Sequence, residues 1–245
     1  MWDAGMFRAA VGIWAAGEPG AAAAAATARE LAREGLHTAV LVEGVSDLSA
    51  VEALAERYGR DLAGEGVCVV PIGGAMGVGR FLRIFGPDEL AVDVRGLCDE
   101  AEEGYFRRGL EQAGYGGGLT RSMMERLGFY VCVADLEDEL IRAMGVAGVE
   151  QVLAAENDLA RFRTFQNQPA QRGRPVERQL RRFLGTTSGR KAQYARALIA
   201  ALDLGRIPRP LDRLLAGSGG GASSNPASHP AVRGNPPLGD DRSNR

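Results

Sequence analysis

Histidine is nearly missing from this chain: His37 and His229 are the two in 245 residues. With so few imidazoles, a zinc site or a His-dependent catalytic triad has no raw material, and metal chemistry falls to carboxylates, which suit Mg²⁺ and Mn²⁺. Cysteine is scarce as well. Cys68, Cys98 and Cys132 lie in apolar runs, odd in number and without CxxC spacing, as reduced core residues of a cytoplasmic protein do. No apolar run approaches the roughly 18 residues that suggest a membrane span. Asp3 and Glu18 flank the first apolar stretch where a signal peptide would carry basic residues, so neither a membrane span nor a leader is expected. Lysine is the last scarcity. Of 29 basic residues only Lys191 is not arginine. Together with abundant alanine and glycine this reflects GC-rich codon usage, so arginine alone says little and the single lysine stands out.

What is present is organised around Thr38 to Asp47, TAVLVEGVSD. Thr38 to Val42 is uncharged and largely β-branched, the pattern of a buried parallel strand. Glu43 follows at its C-terminal edge, then Gly44 and Ser46 as a helix N-cap, which is where open α/β sheets bind ligands. A tight turn there brings Asp47 back towards Glu43. Three further strands are expected at 66–72 (GVCVVPI, with Pro71 leaving the ladder), 90–98 (LAVDVRGLC) and 129–134 (FYVCVA). The third runs into Asp99-Glu100-Ala101-Glu102-Glu103 and the fourth into Asp135-Leu136-Glu137-Asp138-Glu139. In a parallel sheet these ends share one rim, so three acidic clusters converge. Such carboxylates repel one another unless a counter-charge intervenes, and a divalent cation supplies it. Two ions about 3.5 to 4 Å apart would form the clamp used on phosphodiesters. Glu100 and Glu103 also suit a solvated first helical turn, Asp93 and Arg95 a local surface pair, and Gly73-Gly74 either a phosphate-approaching loop or an ordinary βα turn.

The flanking segments are helical. Residues 6–34 give two Ala-rich helices around Gly17 to Gly20, the first docking through Met6, Ala10, Ile13 and Trp14. After Val146 no strand follows. Between 161 and 191 nine basic residues face one acid, Glu177, in a chain whose net charge is -2. Codon usage explains arginine over lysine but not the lack of acids, so this segment is expected to meet nucleic acid through Arg172, Arg174, Arg178, Arg181, Arg182 and Arg190, with Phe162, Phe165 and Phe183 available for stacking. Gly185 to Lys191 lacks Walker A spacing and a preceding strand. Ser188 reads as the cap of a helix over 189–204, and Pro208 begins a last helix to Leu215. The layout is therefore N-terminal helices (1–35), an α/β domain (36–145), a basic helical extension (146–216), and a Gly-, Ser- and Pro-rich tail (217–245) expected to be disordered.

Taken in order, strand-Glu43-Gly44-x-x-Asp47, strand-Asp99, strand-Asp135-Leu136-Glu137 and helical Lys191-x-x-x-Ala195 resemble the TOPRIM domain of the OLD-family (overcoming lysogenization defect) nucleases, over roughly residues 36–215. The resemblance implies a Rossmann-like α/β fold, with a mostly parallel four-stranded sheet flanked by helices and a helical C-terminal extension. It also implies cleavage of DNA with two divalent ions, Mg or Mn. Glu43 and Asp47 would hold one ion and Asp99 would bridge or hold the second; Asp135 and Glu137 would complete the set, and Lys191 would stabilise charge on the phosphate. TOPRIM domains carry Asp-x-Asp after the third strand, whereas here the second position is Ala101 and Glu102 is the nearest substitute. Complete OLD proteins carry an ABC-type ATPase; this chain is expected as a free-standing nuclease domain or as half of a system with a separately encoded ATPase. A homodimer is left open. The competing expectations are an RNA nuclease or nucleotidyl transferase of the same fold, and a catalytically impaired nucleic-acid-binding or regulatory module, which Ala101 favours.

Overall fold

A computed structural model describes residues 2–186 and 189–218. The helices are α1 (Ala4–Ala16), α2 (Ala21–Gly35), α3 (Val45–Arg57), α4 (Val78–Phe85), α5 (Glu103–Gln112), α6 (Arg121–Arg126), α7 (Leu136–Met144), α8 (Val146–Ala155), α9 (Leu159–Gln166), α10 (Val176–Thr186), α11 (Lys191–Ala201) and α12 (Arg209–Gly217). The strands β1 (Thr38–Val42), β2 (Val67–Pro71), β3 (Asp93–Asp99) and β4 (Phe129–Cys132) form one parallel sheet in the order β2-β1-β3-β4. The chain leaves β1 for β2 on one side and then crosses to β3 on the other. That reversal between β1 and β3 opens a crevice at their C-terminal ends, where Glu43 and Asp99 sit.

Alternation along each strand feeds two cores. Val40, Val42, Val67, Val69, Leu97 and Cys132 face α3 and α7 to α12, while Ala39, Leu41, Cys68, Val70, Cys98 and Phe129 face α1, α2 and α4 to α6. Every β1 residue is buried, which requires the continuous apolar run seen there. The helices after 146 therefore share one face of the sheet's core with α3 and α7: Leu180, Leu198 and Leu214 lie in the same core as Val40. All three cysteines are buried free thiols.

Several boundaries and faces differ from expectation. Pro71 stays in the ladder opposite Val42, because β2 is an edge strand and Pro71's missing N–H would face away from β1, whose Val42 carbonyl is bonded by Ile72. β3 begins at Asp93 rather than Leu90. Leu90, Ala91 and Val92 donate their N–H groups back to Ile84, Gly86 and Phe85 around α4's end, with Ala91 at φ 52. β4 stops at Cys132, since Ala134 takes a left-handed φ of 66. Helix α1 buries Phe7 and Val11, leaving Met6 56% and Ile13 46% exposed. α11 spans Lys191–Ala201, shorter than 189–204, and its expected cap Ser188 lies outside the described residues, as do His229 and the tail from 219.

Gly96 shows how tightly the sheet is packed at its centre. A Cβ there would lie 2.6 Å from the ring of fully buried Phe129 and 3.3 Å from the Leu41 carbonyl oxygen. Gly96→Ala is expected to lower stability by about 1 to 3 kcal/mol through overpacking, read as a lower urea midpoint with an unchanged m-value.

Candidate metal centre

The site is assembled by the ends of β1, β3 and β4 together with the start of α11. Glu43 leaves β1 into an extended Gly44, and α3 begins at Val45, one residue before the expected cap Ser46. Asp47 acts as the cap instead: its carboxylate accepts the Gly44 N–H at 2.9 Å, and this turns it back towards Glu43. The Glu43 carbonyl accepts the N–H groups of Gly73 (3.1 Å) and Gly74 (3.2 Å), which stand at φ 70 and 108. Those N–H groups are thus engaged in a βα turn, which disfavours the phosphate-loop reading of Gly73-Gly74. Asp99 ends β3 and is followed by a short 3-10 turn through Glu102. Past β4, Asp135 caps α7 by accepting the Asp138 N–H at 2.8 Å, and Glu137 lies in that first turn. Lys191 opens α11 with Nζ 3.5 Å from Glu137 Oε1.

These carboxylates feel one another. Burial first, then the charges of Asp47, Glu102 and Glu137, push Glu43 up to about 7 against the pull of the Asp99 peptide N–H. Burial and Glu137 raise Asp47 to about 6, while the Gly44 N–H and Lys191 work the other way. Asp99 rises to about 8, through burial and then Glu43, Asp47, Asp135 and Glu137. Glu43 Oε1 is buried without any hydrogen-bond partner among the described residues. An orphaned carboxylate oxygen among mutually repelling carboxylates fits a hard divalent cation, for which an all-oxygen donor set is right. Among the described residues, no three of these side chains are closed to coordination spacing in this conformation.

Neighbouring acids have other partners. Glu100 and Glu103 are not simply solvated: both bond Arg121, at 3.1 and 2.5 Å. Glu139 accepts the Val133 N–H at 2.8 Å and, with Asp138, holds Arg142. Asp93 and Arg95 form the expected local pair at 3.1 Å.

The basic segment divides in two. Arg172, Arg174, Arg178 and Arg182 are exposed and have no acidic partner among the described residues. The others neutralise acids from elsewhere: Arg181 bonds Asp135 at 2.6 Å, Arg163 bonds Glu150 at 2.7 Å, and Arg161 and Arg190 both hold Asp158. Phe162 and Phe183 are buried at 0% and 5% exposure and pack edge-on with ring centroids 5.3 Å apart, so they are core residues; Phe165 alone of the three is partly open. Asp158 escaped the sequence reading, because its partners Arg190 and Tyr194 lie 32 and 36 positions away.

Residues 37–100 match the family model of the overcoming lysogenization defect protein-like TOPRIM domain, a span that holds Glu43, Asp47 and Asp99 and ends before Glu102. Among solved structures, the C-terminal region of the Xanthomonas campestris pv. campestris OLD protein is similar at 23% identity and TM-score 0.55, covering 74% of this chain and 93% of that one. The C-terminal region of the Burkholderia pseudomallei OLD protein is similar at 21% identity and TM-score 0.55, covering 74% and 96%. A search of curated proteins gives no significant match. The chain thus carries an OLD-like TOPRIM segment within the fold of OLD C-terminal regions, a four-stranded parallel sheet flanked by helices.

Proposed function

We propose that the chain is a divalent-metal-dependent endonuclease that nicks or cleaves DNA by phosphodiester hydrolysis. The observation that carries this reading is Glu43 Oε1, a buried and unpartnered carboxylate oxygen amid Asp47, Asp99 and Glu137 at the sheet's switch point. Glu43 and Asp47 would hold one Mg²⁺ or Mn²⁺ ion. Asp99 would be shared with a second, which Asp135, Glu137 and Glu102 would complete. Bound ions supply charge stabilisation at the phosphate oxygens. The chain's own residues do the rest. Lys191, whose side chain is 47% exposed with Nζ beside Glu137, would meet a non-bridging phosphate oxygen. Arg178 and Arg182 stand one helical turn apart on α10, and Arg181, next to Arg182, touches Asp135, so the exposed guanidiniums would form a track leading to the acidic rim.

Wild-type protein with Mn²⁺ is expected to convert supercoiled plasmid to nicked circles, and chelation with EDTA to stop it. Arg178→Glu/Arg182→Glu should weaken DNA binding and reduce the slope of log affinity against log salt by about 2. Ala101, where an acid is usual, favours a binding-only module. Plasmid left intact by a protein that still binds DNA with steep salt dependence would establish that module in place of the nuclease.

A further inference from the structure

The acidic rim is not uniform. On the β1 and β3 side Glu43 keeps a buried oxygen without a partner, whereas on the β4 side Asp135 has both oxygens engaged: Oδ1 accepts the Asp138 N–H at 2.8 Å and Oδ2 accepts Arg181 Nε at 2.6 Å. Glu137 next to it has Lys191 at 3.5 Å. The β4 half therefore already has resident cations, both delivered from helices beyond residue 175. We propose that Arg181 is an exchangeable counter-ion of Asp135, keeping the second cation position closed until a nucleic-acid phosphate takes its guanidinium. This rests on the nuclease reading, and adds to it an order of loading: one divalent ion without DNA, two with it.

The exchange is physically easy. Arg181 is 42% exposed, and a carboxylate-guanidinium pair at that exposure is held weakly. A phosphate offers the same guanidinium two parallel charge-assisted hydrogen bonds. Arg178 and Arg182, exposed on the same turns of α10, would bring that phosphate within reach. Release frees Oδ2 alone, because Oδ1 still caps α7, so Asp135 keeps its place in the backbone, in a cluster where its charge already acts on Asp99.

The test counts ions rather than turnover, by titrating Mn²⁺ and following free Mn²⁺ by electron paramagnetic resonance. Wild type should bind one ion alone and two with a phosphorothioate duplex. Arg181→Met should bind the second ion without DNA, at least tenfold more tightly than wild type, whereas Arg181→Lys should behave as wild type. Asp135→Asn retains the helix cap and should lose the DNA-induced ion while keeping the first; should Arg181→Met fail to fold, the change from one ion to two in wild type on adding DNA still reads the order of loading. Two ions in DNA-free wild type, or one ion in folded Arg181→Met, would overturn the proposal and leave the nuclease reading intact. No ion in any protein would overturn both.

Discussion

Asp99→Asn is expected to abolish Mn²⁺-dependent nicking while making the metal-free protein more stable at pH 8. The two effects share a cause. Asp99 is pushed up to about 8 by burial and by Glu43, Asp47, Asp135 and Glu137, so deprotonating it costs the fold free energy that the unfolded chain does not lose. Loss of a shared metal ligand should slow nicking about a thousandfold, or about 4 kcal/mol of barrier. Removal of one carboxylate from the cluster should stabilise the apoprotein by about 1 to 3 kcal/mol at pH 8, a rise of about 5 °C in melting temperature. A variant that is inactive and less stable at that pH would show that Asp99 is a structural acid.

The same charges set a pH profile. Glu43 at about 7, Asp47 at about 6 and Asp99 at about 8 all lie above their unfolded values. The stability they contribute is therefore complete below about pH 4, is lost progressively as pH rises from there, and is gone once pH has passed the folded values of about 6 to 8. Metal-free melting temperature should fall across that window, and saturating Mn²⁺ should flatten the fall by favouring the deprotonated forms. Ion binding near pH 7 should release protons, measurable by calorimetry in buffers of different ionisation enthalpy.

What the sequence discloses of the fold depends on contrast. β1 and Glu43 were legible because five uninterrupted apolar residues end abruptly in an acid, and the shared rim followed once the strands were parallel. Helix α1 offers no such contrast: Met6, Ala10, Ile13 and Trp14 form an apolar stripe beside Phe7 and Val11, and the docked face takes Ala10 from the first and Phe7 and Val11 from the second, with the Trp2 and Phe85 rings meeting Phe7. The start of β3 is hidden in the sequence because Leu90 to Val92 is as apolar as the strand, though its N–H groups turn to α4. Excess positive charge near 161–191 pointed to a polyanion, yet half of it answers acids in Asp135, Glu150 and Asp158. Pairs that far apart in sequence leave no local trace.

Asp158 provides the largest expected loss of stability. Its side chain is 2% exposed, and both oxygens are used: Oδ1 accepts from Arg161 at 2.9 Å, and Oδ2 accepts from Arg190 and from the buried Tyr194 hydroxyl at 2.5 Å. Burial works against its charge, but Tyr194, Arg161 and Arg190 outweigh it and hold its pKa below the usual carboxylate range. The network joins the turn between α8 and α9 to the start of α11. Asp158→Ala would leave Tyr194, 1% exposed, without its acceptor and Arg190 without its partner, at a cost of about 3 to 5 kcal/mol; Tyr194→Phe removes one hydrogen bond and should cost about 1 kcal/mol. Because the folded pKa is depressed, this contribution is present above the unfolded value and disappears on acidification, opposite in sign to the rim carboxylates. Lys191 follows Arg190 directly, so loosening this anchor should also move Nζ away from Glu137. Hydrogen exchange should then show faster exchange in α11 of Asp158→Ala with β1 still protected, and nicking should fall more than DNA binding does. Uniform exchange with wild-type stability would mean that α11 is held by its apolar face against α3 alone.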